Sequence, residues 1–286
     1  MPVAIAEAID DAGKVASAKV DQAGHMPRYL LTSALAGAYV GVAVVLLVSV
    51  SGPLVAAASP VAKLVQGLVF GVALTLVVFA GAELFTGNNM FMLQGLYTRT
   101  VTGAGLALVW GASLIGNLVG SVAFAALVHA GGTLSAGATG IKPGPGEALV
   151  AAIVDAKNAA TGSQLFWRAV LCNLLVCLGL WMAARTKSDG AKLGVLWWAL
   201  LAFIGSGFEH SVANMTVFSL GVFDGSATWA DLGRNLMWTI PGNIVGGGVV
   251  VGFAYSYLSG PRPAADAIVL TDEPAVPQPA LATPGA

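Results

Sequence analysis

A polar cluster interrupts an apolar run in the C-terminal third of the chain, and it limits the available folds. The apolar residues 193–204 and 217–222 flank a stretch that carries the carboxylate of Glu209, the imidazole of His210 and the amide of Asn214. A charged side chain at the centre of a membrane helix costs ~2.5–3.5 kcal/mol. Such a cluster is tolerated where it faces a cavity or a partner, and broken backbone at membrane depth must be buried or line a polar cavity. We therefore interpret residues 205–215 as the middle of a pore.

The composition places the chain in a membrane. It is 57% hydrophobic and only 9% charged, whereas a soluble domain is about 25% charged. Membrane lipid is thus an expected partner, and a net charge of −1 argues against a nucleic-acid partner. Cys172 and Cys177 lie in one apolar run and are expected to be free thiols that pack as small apolar groups. Nothing in the sequence predicts a cofactor or a metal.

The apolar runs predict an all-α integral membrane protein with six transmembrane helices. Five of the six runs are close to the ~20 apolar residues that a span requires, and the run 193–222 is longer because it contains a polar insert. Polar inserts at 83–89 and 205–215 break the second and the fifth helix, and 129–163 is the longest polar connection. The predicted spans are 29–50, 64–82, 106–128, 165–184, 193–222 and 235–258.

Three regions follow from these spans. Residues 1–27 have Ile5, Ile9 and Ala12 on one helical face and no apolar core of a signal peptide. This arm is either an amphipathic helix on the membrane surface or against the protein, or a solvated Ala-rich segment. Residues 28–260 form the channel domain. The Pro-rich residues 261–286 have no apolar period and are expected to be a disordered tail.

The distribution of basic residues predicts the orientation. With six spans, both termini lie on one side, which then holds 8 Lys and Arg residues against 5 on the other. The positive-inside rule places both termini in the cytoplasm.

Two related patterns lie about 126 residues apart. Glu83 to Met90 is followed by Gly116-Asn117, and Glu209 to Met215 is followed by Gly242-Asn243. Each half has three spans, so the second half would be inverted in the membrane. Two broken helices at matching positions of inverted repeats indicate a substrate site at the midplane. The alternative is a chance match of two short motifs.

Four motifs together resemble the formate/nitrite transporter family, most closely its nitrite-channel branch. They are the segments 80–87 (AGAELFTG), 116–120 (GNLVG), 173–178 (NLLVCL) and 207–215 (GFEHSVANM). The resemblance covers about residues 28–260. It implies an aquaporin-like fold, a homopentamer with one pore per subunit, and passage of small monovalent anions across the cytoplasmic membrane.

The resemblance also implies site residues. His210 would be the central histidine, Thr86 would face it, and Asn173 would be a pore-lining amide. Lys157 would draw anions into the outer vestibule. One constriction would consist of Leu74, Leu84 and Phe85, and the other of Phe70, Val176 and Phe203.

Each of these residues also has a purely structural interpretation. His210 could be a buried, hydrogen-bonded histidine, and the phenylalanines could be packing residues. Glu209 is expected to orient or pair with another group, and Glu83 to cap the helix after the break. Asn173 and Asn214 could satisfy broken backbone.

Nitrite is the expected cargo, and several alternatives remain open. Formate or hydrosulfide could be carried by the same family. The same fold logic would serve a neutral solute such as water or ammonia, and Glu83 and Glu209 could form a cation or proton pathway. An intramembrane enzyme is not expected, because no nucleophile-elbow or zinc-protease motif is present.

Overall fold

The computed structural model describes residues 2–134 and 143–261, and within them every regular element is a helix. The predicted tail therefore lies, beyond Pro261, outside the described residues. A π-helical segment, Ile244–Phe253, joins the last two helices. The helices are α1 (Ile5–Ala23), α2 (Met26–Ala56), α3 (Ala62–Phe70), α4 (Val72–Phe79), α5 (Phe85–Tyr97), α6 (Gly103–Ala130), α7 (Pro145–Ala159), α8 (Gly162–Ala184), α9 (Asp189–Gly205), α10 (Ser211–Asp224), α11 (Trp229–Asn243) and α12 (Ala254–Leu258).

Five stretches of the described chain are long and apolar enough to cross a membrane by length and composition. They are Met26–Ala56, Ala62–Phe79, Gly103–Ala130, Gly162–Ala184 and Trp229–Leu258. The remaining predicted span, 193–222, is divided between α9 and α10, which have 17 and 14 residues. Both are shorter than a full span because the polar cluster separates them.

The first span is longer than predicted. The sequence suggested an end at Ser51 to Pro53, but α2 continues to Ala56 with Pro53 inside it. A proline removes one backbone donor. Pro53 stands in the last turn of α2, where Ala57 still donates to its carbonyl oxygen over 3.0 Å.

The polar connection 129–163 contains a helix that was not predicted. Helix α7 starts after Gly144, whose N–H donates to Glu147 Oε2 over 3.3 Å. It buries Leu149, Val150 and Val154 and packs against α2. The glycines and prolines before residue 147 concealed this short apolar face.

The N-terminal arm is helical and packs against the rest of the protein. Ala8, Ile9, Ala12 and Ala16 are buried, and α1 contacts α5 and α6. The N–H of Val3 donates to the Arg185 carbonyl over 2.9 Å, which fixes the start of the arm. Residues Ile5–Ala23 therefore form a helix that packs against the protein, and the alternative of a solvated Ala-rich segment is wrong.

Both predicted breaks are present, and an asparagine holds each one. At the first break, Asn117 Oδ1 accepts from the N–H of Phe85 over 2.9 Å, and Asn117 Nδ2 donates to the carbonyls of Glu83 and Ser33. The backbone of Gly81 has φ +75°, which only glycine adopts readily. Helix α5 therefore begins at a fixed point inside the protein.

The second break repeats this arrangement. Asn243 Oδ1 accepts from the N–H of Ser211 over 2.9 Å, and Asn243 Nδ2 donates to the carbonyls of Glu209 and Ala169. Gly207 has φ +74°. The bonded positions Glu209, Ser211 and Asn243 each follow their counterparts in the first break by 126 residues.

Two glycines allow helices to touch backbone to backbone. A Cβ atom on Gly120 would overlap the Ala34 carbonyl, so only glycine lets α6 approach α2 this closely. A Cβ atom on Gly246 would overlap the Val170 carbonyl in the same way. Such small-residue contacts are typical of packed membrane helices. Nearby, Cys172 and Cys177 are buried free thiols.

Candidate functional site: two vestibules and a central cavity

Three cavities follow one another through the helices. We call the first the arm-side vestibule, because Val15, Lys19 and Gln22 of α1 contribute to its wall, and its volume is about 520 Å³. The second, the central cavity, has a volume of about 10 Å³. The third, the far-side vestibule, measures about 230 Å³. The central cavity shares wall residues with each vestibule and so lies between them.

Leucines separate the central cavity from the arm-side vestibule. Leu74 and Leu84 line both spaces and are buried. The sequence placed Phe85 in the same constriction. Phe85 is instead absent from the walls of the three cavities and packs edge-on against Trp110, with ring centroids 6.5 Å apart.

Aromatic rings separate the central cavity from the far-side vestibule. Phe70 and Phe203 line both spaces, and their rings meet edge to face with centroids 5.5 Å apart. Val176, which the sequence grouped with them, lines the central cavity. Val40, Ala73 and Leu200 complete that wall, and none of them was singled out from the sequence.

His210 lies where the central cavity meets the far-side vestibule. It lines both, and its ring stacks on Phe203 with centroids 5.9 Å apart. His210 Nε2 is 3.1 Å from Thr86 Oγ1. The structure thus brings together His210 and Thr86, which lie 124 residues apart in the sequence.

The hydrogen bonds of His210 fix the tautomer of its neutral form. The Ala213 N–H donates to His210 Nδ1 over 3.1 Å, so the imidazole caps the N-terminus of α10. Because Nδ1 accepts this bond, the ring hydrogen of the neutral form is on Nε2. That N–H then donates to Thr86 Oγ1, and the Thr86 hydroxyl hydrogen can turn toward a third group.

Asn173 clamps the backbone around the site. It is fully buried, and its Nδ2 donates to the carbonyls of Thr86 over 3.0 Å and Asn243 over 2.7 Å. Cys177 Sγ also donates to the Thr86 carbonyl, over 3.3 Å. Asn173 lines none of the three cavities. Its amide therefore fixes Thr86 in position.

Lys157 and Glu209 form an ion pair in the far-side vestibule. Lys157 Nζ is 2.6 Å from Glu209 Oε2, and the two side chains are 13% and 4% exposed. The same oxygen accepts from Asn214 Nδ2 over 2.7 Å, and that nitrogen also donates to Asn235 Oδ1 over 2.8 Å. The sequence predicted that Glu209 pairs with another group, and Lys157 is that group.

Glu83 has a corresponding partner in the arm-side vestibule. Lys19 Nζ is 2.7 Å from Glu83 Oε2, and the side chains are 13% and 11% exposed. The Tyr29 hydroxyl and Asn88 Nδ2 donate to the same oxygen, each over 3.2 Å. The Glu83 side chain bonds to these side chains, and the first N–H of α5 donates to Asn117 Oδ1, so the capping role suggested for Glu83 is wrong. The lysine supplied by the N-terminal arm explains this.

Two cationic residues of the far-side vestibule were missed by the sequence reasoning. Lys63 and Arg168 belong to its wall together with Lys157. Lys63 stands at the start of α3, and Arg168 is six positions after the start of α8. Their positions near the predicted starts of the spans 64–82 and 165–184 could have identified them as cations at the mouth of the path. Among the residues that the structure describes, no group of three or more His, Cys, Asp or Glu side chains could hold a metal ion.

The sequence matches a family model described as "Formate/nitrite transporter" over residues 6–257. The Salmonella typhimurium (strain LT2) protein "Nitrite transporter NirC" is 43% identical over 234 residues, covering 80% of this chain and 82% of that protein. The "Probable formate transporter" of Methanothermobacter thermautotrophicus is 39% identical over 254 residues, covering 85% and 92%.

Two solved structures are similar to this fold. An "FNT family ion channel" superposes with a TM-score of 0.79 at 40% identity, covering 88% of this chain and 98% of that one. A "Pentameric formate channel with formate bound" superposes with a TM-score of 0.66 at 28% identity, covering 82% and 98%.

Proposed function

This chain belongs to the formate/nitrite transporter family, and we propose that it is a membrane channel for small monovalent anions, nitrite first among them. The observation that carries the proposal is the line of three cavities with His210 at the inner end of the far-side vestibule. The nitrite assignment is supported by the NirC relatives at 41–43% identity. Formate is the second candidate, because relatives at 39% and 35% identity carry that name.

The walls of the path suit a small anion. Leu74, Leu84, Phe70 and Phe203 form apolar constrictions, which pass only ions that can shed water at little cost. Between them His210 lines the central cavity, and its ring N–H is bound to Thr86 Oγ1, which leaves the Thr86 hydroxyl hydrogen as the donor that can turn toward an anion beside the ring. Helices α5 and α10 begin beside the central cavity, because the residues before them, Leu84 and His210, line it. Helix N-termini carry a partial positive charge that favours anions.

The charges along the path disfavour the cation alternative. Glu83 and Glu209 are the carboxylates among the wall residues of the two vestibules. Each is paired with a lysine at 2.7 Å or less. A cation would therefore meet no free carboxylate at these two positions. The family is one of transporters and channels, so an enzymatic role has no support.

The membrane arrangement is part of the proposal. The chain would cross the inner membrane six times as two inverted three-helix repeats, with α9 and α10 together forming the fifth crossing. The matching hydrogen bonds of Asn117 and Asn243 support this arrangement. The arm-side vestibule would face the cytoplasm, as would both termini. A homopentamer is proposed from the similarity to the pentameric formate channel.

Volume changes of vesicles test the proposal. Proteoliposomes mixed rapidly with hyperosmotic sodium nitrite plus a cation ionophore should shrink and then regain volume as the salt enters. The same vesicles in sucrose should stay shrunken. Vesicles that never recover in nitrite, formate or hydrosulfide, but exchange water or ammonia quickly, would instead indicate a channel for neutral solutes.

A further inference from the structure

The two vestibules differ in how their cations are paired. In the arm-side vestibule, Lys19 pairs with Glu83 at 2.7 Å, and Lys192 pairs with Asp189 at 3.1 Å. In the far-side vestibule, Lys157 pairs with Glu209 at 2.6 Å. The other two cations of that wall have no ion pair or side-chain hydrogen bond within residues 2–134 and 143–261. These two are Lys63 and Arg168.

Lys63 and Arg168 both lie close to the polar break 205–215, which contains His210. Lys63 Nζ lies 4.0 Å from the point where a Cβ atom of Gly207 would stand. The carbonyl of Arg168 accepts from the N–H of Glu209 over 3.2 Å. The backbone of Arg168 is thus tied to the break, while its guanidinium is free to meet a ligand in the vestibule.

We propose that Lys63 and Arg168 form an anion-capture site in the far-side vestibule, which holds a small planar anion before it reaches His210. This inference rests on the proposed channel function and goes beyond it by naming the capture residues and the ligand shape. A guanidinium offers two parallel N–H donors that match a pair of equivalent oxygens. Nitrite and formate both present such a pair, whereas chloride and hydrosulfide do not. The ammonium of Lys63 adds charge without this selectivity.

Lys157 differs from Lys63 and Arg168 in how strongly its charge can attract a distant anion. The charge of Lys157 is offset by Glu209 at 2.6 Å, so its field at a distance is weakened. Lys63 and Arg168 have no ion pair of their own among the described residues, so a larger part of their charge acts on the vestibule. Anions should therefore be captured more readily from the far side than from the arm side.

Neutral variants with similar shape give a measurable effect. A unit charge about 8 Å from an anion in water changes the local anion concentration about twofold at low salt. Lys63→Met and Arg168→Met should each lower the initial nitrite flux from the far side about twofold at ~10 mM salt, and together about fivefold. At ~1 M salt the Debye length is about 3 Å, and the difference should vanish.

Three further variants make the test specific. Lys187→Met removes one exposed charge on the arm side and should leave the flux unchanged. Lys63→Arg should retain the full flux. Arg168→Lys should retain the salt dependence but lower the preference for nitrite and formate over chloride, because an ammonium lacks the paired donors.

The outcomes distinguish this inference from the proposed function. If the wild-type protein passes no anion, the proposed function fails. If the wild type conducts nitrite while Lys63→Met, Arg168→Met and their combination match it at low salt from both sides, the capture site is refuted. Unchanged selectivity in Arg168→Lys would refute the recognition of paired oxygens. Elution of each variant at the wild-type oligomer size controls for misfolding.

Discussion

Replacing Lys157 by Met should destabilise the folded protein, because it leaves the buried carboxylate of Glu209 without its ion-pair partner. Lys157 Nζ stands 2.6 Å from Glu209 Oε2, and the Glu209 side chain is only 4% exposed. Without the ammonium, that oxygen keeps a single side-chain donor, Asn214 Nδ2 at 2.7 Å. The methionine fills most of the space of the lysine stem, so the main change is electrostatic.

The expected cost is large for one substitution. Removing one partner of a buried ion pair costs about 3–5 kcal/mol, because the remaining charge is unpaired. The Lys157 side chain is 13% exposed, so water can reach the pair and the cost should be near the lower limit, ~3 kcal/mol. Changing both partners removes the unpaired charge. The double variant Lys157→Met with Glu209→Gln should therefore recover about 2 kcal/mol of that loss.

Thermal unfolding of the purified oligomer in detergent tests this expectation, together with nitrite uptake at low and high salt. The melting temperature should fall clearly in Lys157→Met, and uptake should fall at both salt concentrations. The double variant should melt closer to the wild type. The matched control is Lys14→Met, because Lys14 pairs with Asp11 on the surface with 77% and 59% exposed side chains. Exposed pairs contribute only ~0–1 kcal/mol.

Two results would refute this reasoning. If Glu209→Gln deepens the loss instead of relieving it, the carboxylate is not destabilised when the lysine is absent. If Lys157→Met is as stable as the wild type and loses uptake only at low salt, Lys157 acts mainly as the attracting charge that the sequence predicted.

Two further predictions concern the centre of the path. Phe203→Ala or Leu74→Ala removes part of an apolar constriction, so larger anions should pass more readily relative to nitrite while the oligomer stays intact; unchanged permeability ratios would contradict this role. Protonation of Nδ1 in His210 would break its bond from Ala213 and place a charge in a buried ring, which disfavours the protonated form. A change in nitrite uptake by the wild type should therefore appear toward the acid end of a series from about pH 5 to 8, and His210→Asn should flatten this profile, because asparagine can cap α10 but cannot titrate. A variant with the wild-type profile would place the pH response elsewhere.

Sequence patterns were sufficient to predict the elements with a strong local signal. The long apolar runs indicated the membrane helices, and the polar residues within 83–89 and 205–215 indicated both breaks. Apolar periodicity failed where it was short or interrupted. Pro53 suggested that the helix ends before it, but a proline in the last turn of α2 costs little free energy. Helix α7 has only a narrow buried face after a segment rich in glycine and proline.

The sequence grouped the candidate residues but did not predict their hydrogen bonds. The motifs indicated His210, Thr86 and Asn173, yet no local pattern shows that the Asn173 amide is bound to two carbonyl groups instead of facing a cavity. Phe85 likewise follows the predicted constriction in sequence but turns toward Trp110. Such orientations depend on contacts between residues far apart in the chain, which spacing along one helix does not determine.

The reversal potential of single channels tests the central claim most directly. The protein would be placed in a planar bilayer with a tenfold gradient of a nitrite salt whose cation is large and organic. A pore selective for a monovalent anion should reverse within a few millivolts of the nitrite equilibrium potential, about 59 mV in magnitude at 25 °C. A reversal of opposite sign would show that cations carry the current. The absence of any current in nitrite and formate, with the oligomer intact, would contradict an anion pathway through His210.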